Sequence, residues 1–327
     1  ASFDGRLYDG VALPPILEPQ TKGDRMNDDR AHRPTEWRIS PLPEDEAGVF
    51  QLFRNLNRSF REWIDDSYRR QAPLPFLGQH DELSVVRPWL YHYLLTGEKL
   101  LLERIDDFFG KWRGWASEHF VHGYYPADAE DHHHMENFIR VVGRLWMLDR
   151  TREDYADALI DMVHHIGNWS DDAPAWYDWE RHRFRGRWMG TERVGSEGRK
   201  LEGANGNSMF RYLVLCEQAY LLTGEQRYLD LIMDYADRWC DLIEEHRHDP
   251  EGLPAWYDEN WEPLQTNRGF PLTFINGGCV AVMLDLCAMT GEERYGRCAR
   301  LLMKRAREAH LTTDPEDGVA ARHCAIT

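Results

Sequence analysis

Apolar positions recur at helical spacing over most of the chain from residue 46 onward. The first such run predicts an amphipathic helix, whose apolar positions are Val49, Leu52, Phe53, Leu56, Phe60, Trp63 and Ile64. Residues 1–45 show little periodicity and carry several prolines, which is typical of an extended arm lying on a domain. The pattern therefore predicts two parts, an extended N-terminal arm at residues 1–45 and a helical domain at residues 46–327.

Within the helical part, a helix–turn–helix unit recurs. An apolar helix runs into a short turn centred on Thr-Gly-Glu, and an amphipathic helix with one apolar stripe follows. Each glycine suits the left-handed position that closes a helix, and the acid suits the next helix start. Helices that are apolar on most sides are buried, whereas striped helices lie outside. The turns are at residues 94–98, 221–225 and 288–292, with a degenerate copy at 147–151.

The repeated unit predicts an all-α fold in which helix hairpins form a two-layer ring or solenoid. Connections from an outer helix to the next inner helix are long and rich in Trp, Tyr, His, Gly and Arg. Two of them contain Pro-Ala-Trp-Tyr-Asp, at residues 174–178 and 254–258, and a variant stands at 123–128. Long aromatic loops are typically functional. We therefore expect the functional rim at the end of the hairpins that carries these loops.

Polar residues gather where each long loop reaches an inner helix. Helix capping accounts for Asp81, Asp131 and Asn207, because Asp and Asn are common N-caps. Capping does not account for three consecutive histidines, or for asparagines at both 205 and 207. The alternative is that the inner helix starts converge around one cavity. The four groups of residues are His80 with Gln79, Asp81 and Glu82; Asp131 with His132, His133, His134, Glu136 and Asn137; Asn205 with Asn207; and Asn276 with Thr273.

The charge balance restricts the classes of partner. The 327 residues include 39 basic and 56 acidic side chains, a formal net charge of −17. Nucleic acids and anionic membranes attract a basic face, so neither is expected as the main partner. No apolar run approaches the roughly 20 residues of a membrane-spanning helix.

Positive charge is nevertheless concentrated in one long loop, at residues 181–199. Its arginines include Arg193 and Arg199, and Trp188 lies among them. Arginine binds carboxylates through its planar guanidinium group, so the loop favours an acidic ligand. The alternative is a solvated loop whose arginines pair with acidic side chains on the protein's own surface. Thirteen tryptophans add flat apolar surfaces suited to sugar rings. The six cysteines, all beyond residue 215, form no Cys-x-x-Cys pair and are predicted to be mostly buried thiols.

The helix-pair repeat, the Trp/Tyr loops and the polar inner-helix starts together resemble the α/α-toroid carbohydrate-active enzymes, over about residues 46–310. The resemblance is to a class that contains polysaccharide lyases and glycoside hydrolases. Closed toroids of this class have more hairpins than the four or so found here, so the ring is expected to be incomplete or short.

The resemblance implies a polysaccharide lyase that cleaves a uronate-containing polysaccharide or oligosaccharide by β-elimination. In such lyases Asn, His or Gln neutralises the uronate carboxylate and a His or Tyr removes the C5 proton. The matching catalytic candidates are His80, His133, His134, Asn205, Asn207 and Tyr257. The candidates for substrate binding are Trp176, Tyr177, Trp188, Arg193, Arg199, Trp256 and Asn276.

Two other functions are open from the sequence. A glycoside hydrolase would use a pair of carboxylates, for which Asp81, Glu82, Asp131 and Glu136 are candidates. A non-catalytic carbohydrate-binding or scaffold domain is the other. No cofactor is expected, although His132 and Glu136 have a spacing compatible with a metal site. A polysaccharide-degrading enzyme would be expected in the periplasm or outside the cell.

Overall fold

Helices make up most of the regular structure of this chain. The structure is a computed structural model that describes residues 16–19, 37–40, 46–72, 86, 88–90, 92–93, 96–119, 130–131, 145–147, 149–171, 173–195, 205–206, 209–248, 253–254, 256–264, 274 and 277–312. The helices with defined bounds are α1 (Glu46–Gln71), α2 (Lys99–His119), α3 (Glu153–Val163), α4 (Phe210–Thr223), α5 (Gln226–Glu245), α6 (Cys279–Thr290) and α7 (Glu293–Thr312).

The strands are short. They are β1 (Ile16–Pro19), β2 (Trp37–Ser40), β3 (Glu130–Asp131), β4 (Tyr177–Asp178), β5 (Arg183–Phe184), β6 (Trp188–Met189), β7 (Asn205–Gly206) and β8 (Trp256–Tyr257). They form antiparallel two-stranded pairs, β1 with β2, β3 with β6, β4 with β5 and β7 with β8. The predicted all-α class is therefore confirmed at the level of a mostly helical chain with few strands.

The chain divides into two compact units, Ala1–Arg69 and Arg70–Thr327. The boundary lies inside α1, whereas the sequence placed it before residue 46. In the first unit the predicted arm contains the antiparallel pair β1–β2, in which Ile16 lies opposite Ser40.

In the second unit, two consecutive helix hairpins pack side by side. Helix α4, which the sequence predicts to be an inner helix, contacts α5, its predicted outer partner, and α6 contacts α7 in the same way. The two inner helices also contact each other, as do the two outer helices, and α3 packs on α4. Inner helix α4 buries Phe210, Leu213 and Cys216 together with Arg211 and Gln218 around its circumference, as predicted from its all-round apolar pattern.

The last inner helix, α6, differs from α4. It buries Val282, Met283 and Leu286 but leaves Leu284 38% exposed. Among the helices that the structure describes, its main neighbours are α4 and α7.

The repeated turns close their helices in the predicted way. Gly97, Gly224 and Gly291 have φ of 70°, 71° and 76°. Each glycine N–H donates to the carbonyl four residues earlier, at 2.7–3.0 Å. The preceding threonine hydroxyl donates to the carbonyl four residues before it, and it accepts from the N–H of the following glutamate. All bonds of the turn are thus made within one stretch of chain.

Tyrosines near the start of outer helices link them to the preceding outer helix. The Tyr155 hydroxyl donates to Asp106 at 2.9 Å, linking α3 to α2, and Tyr295 donates to Asp237 at 2.9 Å, linking α7 to α5. Arg294 adds ion pairs to Asp241 and Glu244 on α5. These bonds fasten the outer layer laterally.

Four of the five described cysteines are buried, namely Cys216, Cys240, Cys279 and Cys298, and all five are free thiols. This confirms the prediction of mostly buried thiols. Within the described residues, no helix combines the length and apolar character needed to cross a bilayer.

Candidate functional site

Short strand pairs bring the long connections together. β3 lies before the three histidines and pairs with β6 of the next connection, so that Asp131 is opposite Trp188. β7 of that same connection pairs with β8 of the following one, placing Asn205 opposite Tyr257 and Gly206 opposite Trp256. Three successive outer-to-inner connections are therefore joined backbone to backbone. Asn205 and Tyr257, two of the predicted catalytic residues, are neighbours across one of these ladders.

Arg187 links the two strand pairs through aromatic rings. Its guanidinium carbon lies 5.1 Å from the centroid of the Trp256 ring and 6.0 Å from that of Trp188. Both tryptophans are half-buried. A Cβ atom at Gly206 would lie 2.5 Å from the Trp256 ring, so the ring needs a glycine at this position. We refer to Arg187, Trp188 and Trp256 as the tryptophan–arginine cluster.

A depression opens next to β6, the strand that carries Trp188. It has a volume of about 620 Å³ and is lined by Pro174, Ala175, Arg185, Glu192, Arg193, Val194 and Gly195. The backbone beyond β6 turns back on itself here, since Met189 bridges to Val194 and the Gly195 N–H donates to Trp188 O at 2.8 Å. Two guanidinium groups and one carboxylate thus share a concave surface, which we call the arginine depression. Such a surface suits an anionic or hydroxyl-rich ligand.

The tryptophans of the two repeated motifs have different environments. Trp176 is fully buried and its indole N–H donates to Gly190 O at 2.9 Å. It therefore presents no ring face to a sugar and instead anchors its loop, contrary to the stacking role expected for it. Trp256 remains half-buried within the tryptophan–arginine cluster, so its predicted role in binding stays open to test.

The two motif tyrosines are also buried. Tyr177 donates its hydroxyl hydrogen to Asp234 Oδ2 at 2.6 Å, and burial followed by this hydrogen bond raises the pKa of Tyr177 far above its usual value. The phenol therefore stays protonated and acts as a donor. Tyr257 is 1% exposed. Its ring meets that of Trp239 edge to face and lies tilted against that of Trp261.

Several predicted site residues lie outside the described residues. They are His80, Asp81, Glu82, His132, His133, His134, Glu136, Arg199, Asn207 and Asn276. Of Asn205 and Asp131 the structure describes the backbone. The predicted metal ligands His132 and Glu136 are thus among the residues that the structure does not describe. Among the residues that are described, no three His, Cys, Asp or Glu side chains are placed to hold a metal ion.

Sequence reasoning missed the pairing of His182 with Asp234. Their Nδ1 and Oδ1 atoms are 2.7 Å apart, although the residues are 52 positions apart in the chain. His182 lies in the predicted arginine-rich loop, but a spacing of that length carries no periodic signal. Its left-handed backbone, with φ of 55°, is visible only in three dimensions.

Comparison with protein-family models, with curated proteins and with solved structures finds no significant match to this chain.

Proposed function

We propose that this protein is a carbohydrate-active enzyme built as an α/α toroid, and that it cleaves a uronate-containing polysaccharide or oligosaccharide by β-elimination. The observation that carries the proposal is the arginine depression. Arg185 and Arg193 line one concave surface in a chain of net charge −17. The connection that carries them also carries the exposed Trp179 and the half-buried Trp188. A local pair of guanidinium groups in an acidic protein favours a ligand with carboxylates.

The same surface suits the chemistry of elimination. A guanidinium paired with the uronate carboxylate withdraws charge and stabilises the negative charge that develops when the C5 proton leaves. A general base takes this proton, the C4–C5 double bond forms, and the C4–O bond breaks with its electron pair leaving on oxygen. His133 or His134 is the proposed base, and Asn205 or Asn207 assists Arg193 at the carboxylate. Tyr257 is 1% exposed and is therefore not retained as the base.

The tryptophan–arginine cluster supports a carbohydrate ligand. Trp188 and Trp256 are half-buried, and their flat faces are the kind of surface on which sugar rings stack. Asp131, which precedes the histidines, lies across β3–β6 from Trp188. A sugar bound at this cluster would therefore lie near the start of the histidine segment.

A glycoside hydrolase is the second candidate. Glu192 lines the arginine depression and Asp131 is opposite Trp188, so acids are present near the same surface. Paired carboxylates on either side of a glycosidic bond would cleave it with water.

The test is incubation with a panel of uronate polysaccharides, including polygalacturonate, alginate and glucuronoxylan. A lyase produces the ultraviolet absorbance of an unsaturated uronate together with new reducing ends. New reducing ends without that absorbance would support the hydrolase instead. Neither product with any member of the panel would contradict both catalytic proposals and favour a binding or scaffold function.

A further inference from the structure

Backbone strain is concentrated around Tyr177. Within the described part of the chain, left-handed φ values at residues other than glycine occur at Asn168 (62°), His182 (55°) and Trp261 (66°). Asn168 brackets the Tyr177 peptide, donating to its carbonyl at 2.8 Å and accepting from its N–H at 3.0 Å. The Trp261 indole donates to Arg181 O at 2.8 Å. Such conformations cost about 1–3 kcal/mol each and are found mainly at functional sites.

At the centre of this region a carboxylate is held at both oxygens. Asp234 Oδ1 lies 2.7 Å from His182 Nδ1, and Oδ2 accepts the Tyr177 hydroxyl at 2.6 Å. Tyr177 is fully buried and stays protonated, as described above, so it serves only as a donor to the carboxylate. The orientation of Asp234 is thus fixed, and through it the orientation of the imidazole.

The fixed ring has one nitrogen directed to a carboxylate and one available to a ligand. An ionised carboxylate only accepts hydrogen bonds, so the proton of the neutral imidazole is on Nδ1 and the lone pair is on Nε2. The His182 side chain is 52% exposed, and Nε2 has no partner among the residues that the structure describes. A histidine oriented in this way by a carboxylate can act as a general base. It would take its proton from a bound molecule, since no described hydroxyl or thiol of the protein is bonded to Nε2.

The surroundings of His182 offer binding groups for a sugar. Trp179 is 39% exposed and meets the Tyr177 ring edge to face at 5.0 Å. Trp261 is half-buried, with the Arg238 guanidinium 5.1 Å from its ring centroid. The Arg181 side chain is 59% exposed, and its guanidinium pairs with Asp178 at 3.3 Å. Trp179 and Arg181 therefore lie on the same turn as His182, and Trp261 is tied to that turn through the Arg181 carbonyl.

We propose that this cluster, formed by Tyr177, Trp179, Arg181, His182, Asp234 and Trp261, is a second active site that hydrolyses an acyl ester carried on a sugar hydroxyl. We call it the hairpin-tip site, since it lies at the turn of β4–β5. The carbohydrate part of the substrate rests on the proposed function, whereas the ester chemistry rests on the histidine and its carboxylate.

The reaction needs only water as a co-reactant. His182 Nε2 takes a proton from a water molecule as the water oxygen bonds to the ester carbonyl carbon. The bond from that carbon to the sugar oxygen then breaks, and the leaving oxygen receives the proton from Nε2. The products are a carboxylic acid and a free sugar hydroxyl. Arg181, whose pair with Asp178 uses one guanidinium nitrogen, stabilises the negative charge on the carbonyl oxygen through the other nitrogens during this step.

The experiment measures ester hydrolysis by the full chain with para-nitrophenyl acetate and with per-O-acetylated glucose. His182→Gln should lower kcat by about 100-fold or more, in the range of general-base catalysis, with KM nearly unchanged. Asp234→Asn should lower kcat comparably, because the tautomer is no longer fixed. His119→Gln is the matched control, since His119 is exposed and its Nδ1 bonds a backbone carbonyl of Trp115 at 2.7 Å, and it should hydrolyse esters like the unmodified chain.

Since His182 is exposed, its glutamine variant should keep the thermal midpoint of the parent. If Asp234→Asn fails to fold, Tyr177→Phe replaces it, because it removes one anchor of the carboxylate and should lower kcat several-fold.

Ester hydrolysis that is absent, or equal in the parent and His182→Gln, overturns the inference. His182-dependent ester hydrolysis without uronate elimination contradicts the proposed function alone, and elimination without ester hydrolysis contradicts the hairpin-tip site alone.

Discussion

At the scale of single residues, identical sequence motifs lead to different environments. Trp176 and Trp256 occupy the same place in Pro-Ala-Trp-Tyr-Asp, yet Trp176 is fully buried and Trp256 is not. The difference arises from what each strand pairs with. β4 folds back on β5 within one connection, and the Trp176 indole reaches Gly190, whereas β8 pairs with β7 of another connection and places Trp256 over Gly206.

Trp176→Ala should therefore destabilise the fold strongly. Emptying a fully buried tryptophan site costs roughly 3–5 kcal/mol, and the loss would appear as a lower midpoint in urea unfolding. Trp256→Ala is the matched variant, for which we expect a smaller loss, about 1 kcal/mol, together with weaker binding of a uronate oligosaccharide by calorimetry. Equal losses of stability in the two variants would contradict this division of roles.

The arginine depression gives a second residue-scale prediction. Arg193→Met keeps much of the apolar stem of the side chain but removes the fork, so KM for a uronate substrate should rise about 10- to 100-fold, the worth of a charge-assisted hydrogen bond. Arg297, an exposed residue of α7, provides the control, because Arg297→Met leaves the depression intact. An unchanged KM in Arg193→Met would remove this side chain from substrate binding.

At the scale of elements, the helix-pair turns were predictable and the strand pairs were not. Thr-Gly-Glu specifies its turn through bonds within a few residues, so its structure can be inferred from local sequence alone. The pairing of Asn205 with Tyr257 depends on where two separate connections meet, and two-residue strands have no periodicity to reveal them. The same reasoning explains why the sequence suggested His133 and His134 and overlooked His182 with its distant Asp234.

Replacing a turn glycine and a helix glycine by alanine should change the stability of the protein in opposite directions. Gly224→Ala forces an alanine into a left-handed conformation and should destabilise the protein by about 1–2 kcal/mol. Gly110→Ala lies within α2, where an added Cβ meets nothing within 4 Å, and it should stabilise by about 0.5–1 kcal/mol. Thermal unfolding of the two variants should move the midpoint in opposite directions. A stabilised Gly224→Ala would mean that the turn is not left-handed.

At the scale of the whole molecule, the helical content could be predicted from periodicity. The difference between helices buried on all sides and helices buried on one side could be predicted too, because it is set by which positions of each helix are apolar. The number of hairpins, and whether they form a ring, do not follow from it, since both depend on angles between hairpins that no single helix encodes.

Buried phenols and thiols predict a loss of stability in alkali. Tyr155, Tyr177, Tyr228 and Tyr295 all have pKa values raised chiefly by burial, and in all but Tyr228 a hydrogen bond to a carboxylate adds to the shift. Burial likewise raises the pKa of the Cys216 thiol. The unfolded chain loses these protons first, so their contribution is complete below the unfolded pKa values, about 8.5 for Cys and 10 for Tyr, and falls as pH rises above them.

Urea unfolding between pH 7 and 11 should show a falling free energy of unfolding above about pH 9. Tyrosinate absorbance from these side chains should appear together with unfolding. The prediction would be contradicted if these four tyrosines ionised near pH 10 while the far-ultraviolet circular dichroism of the chain stayed unchanged.

The self-contained turns have a consequence for how such a chain can grow. Each turn satisfies its own hydrogen bonds, so a duplicated helix pair brings a complete turn with it and needs no new partner at that end. At the opposite end, β3–β6 and β7–β8 tie each connection to the next, so a newly inserted pair must interrupt a ladder and rebuild it. Insertions and duplications should therefore be tolerated at the turns, while loops on the opposite end change together.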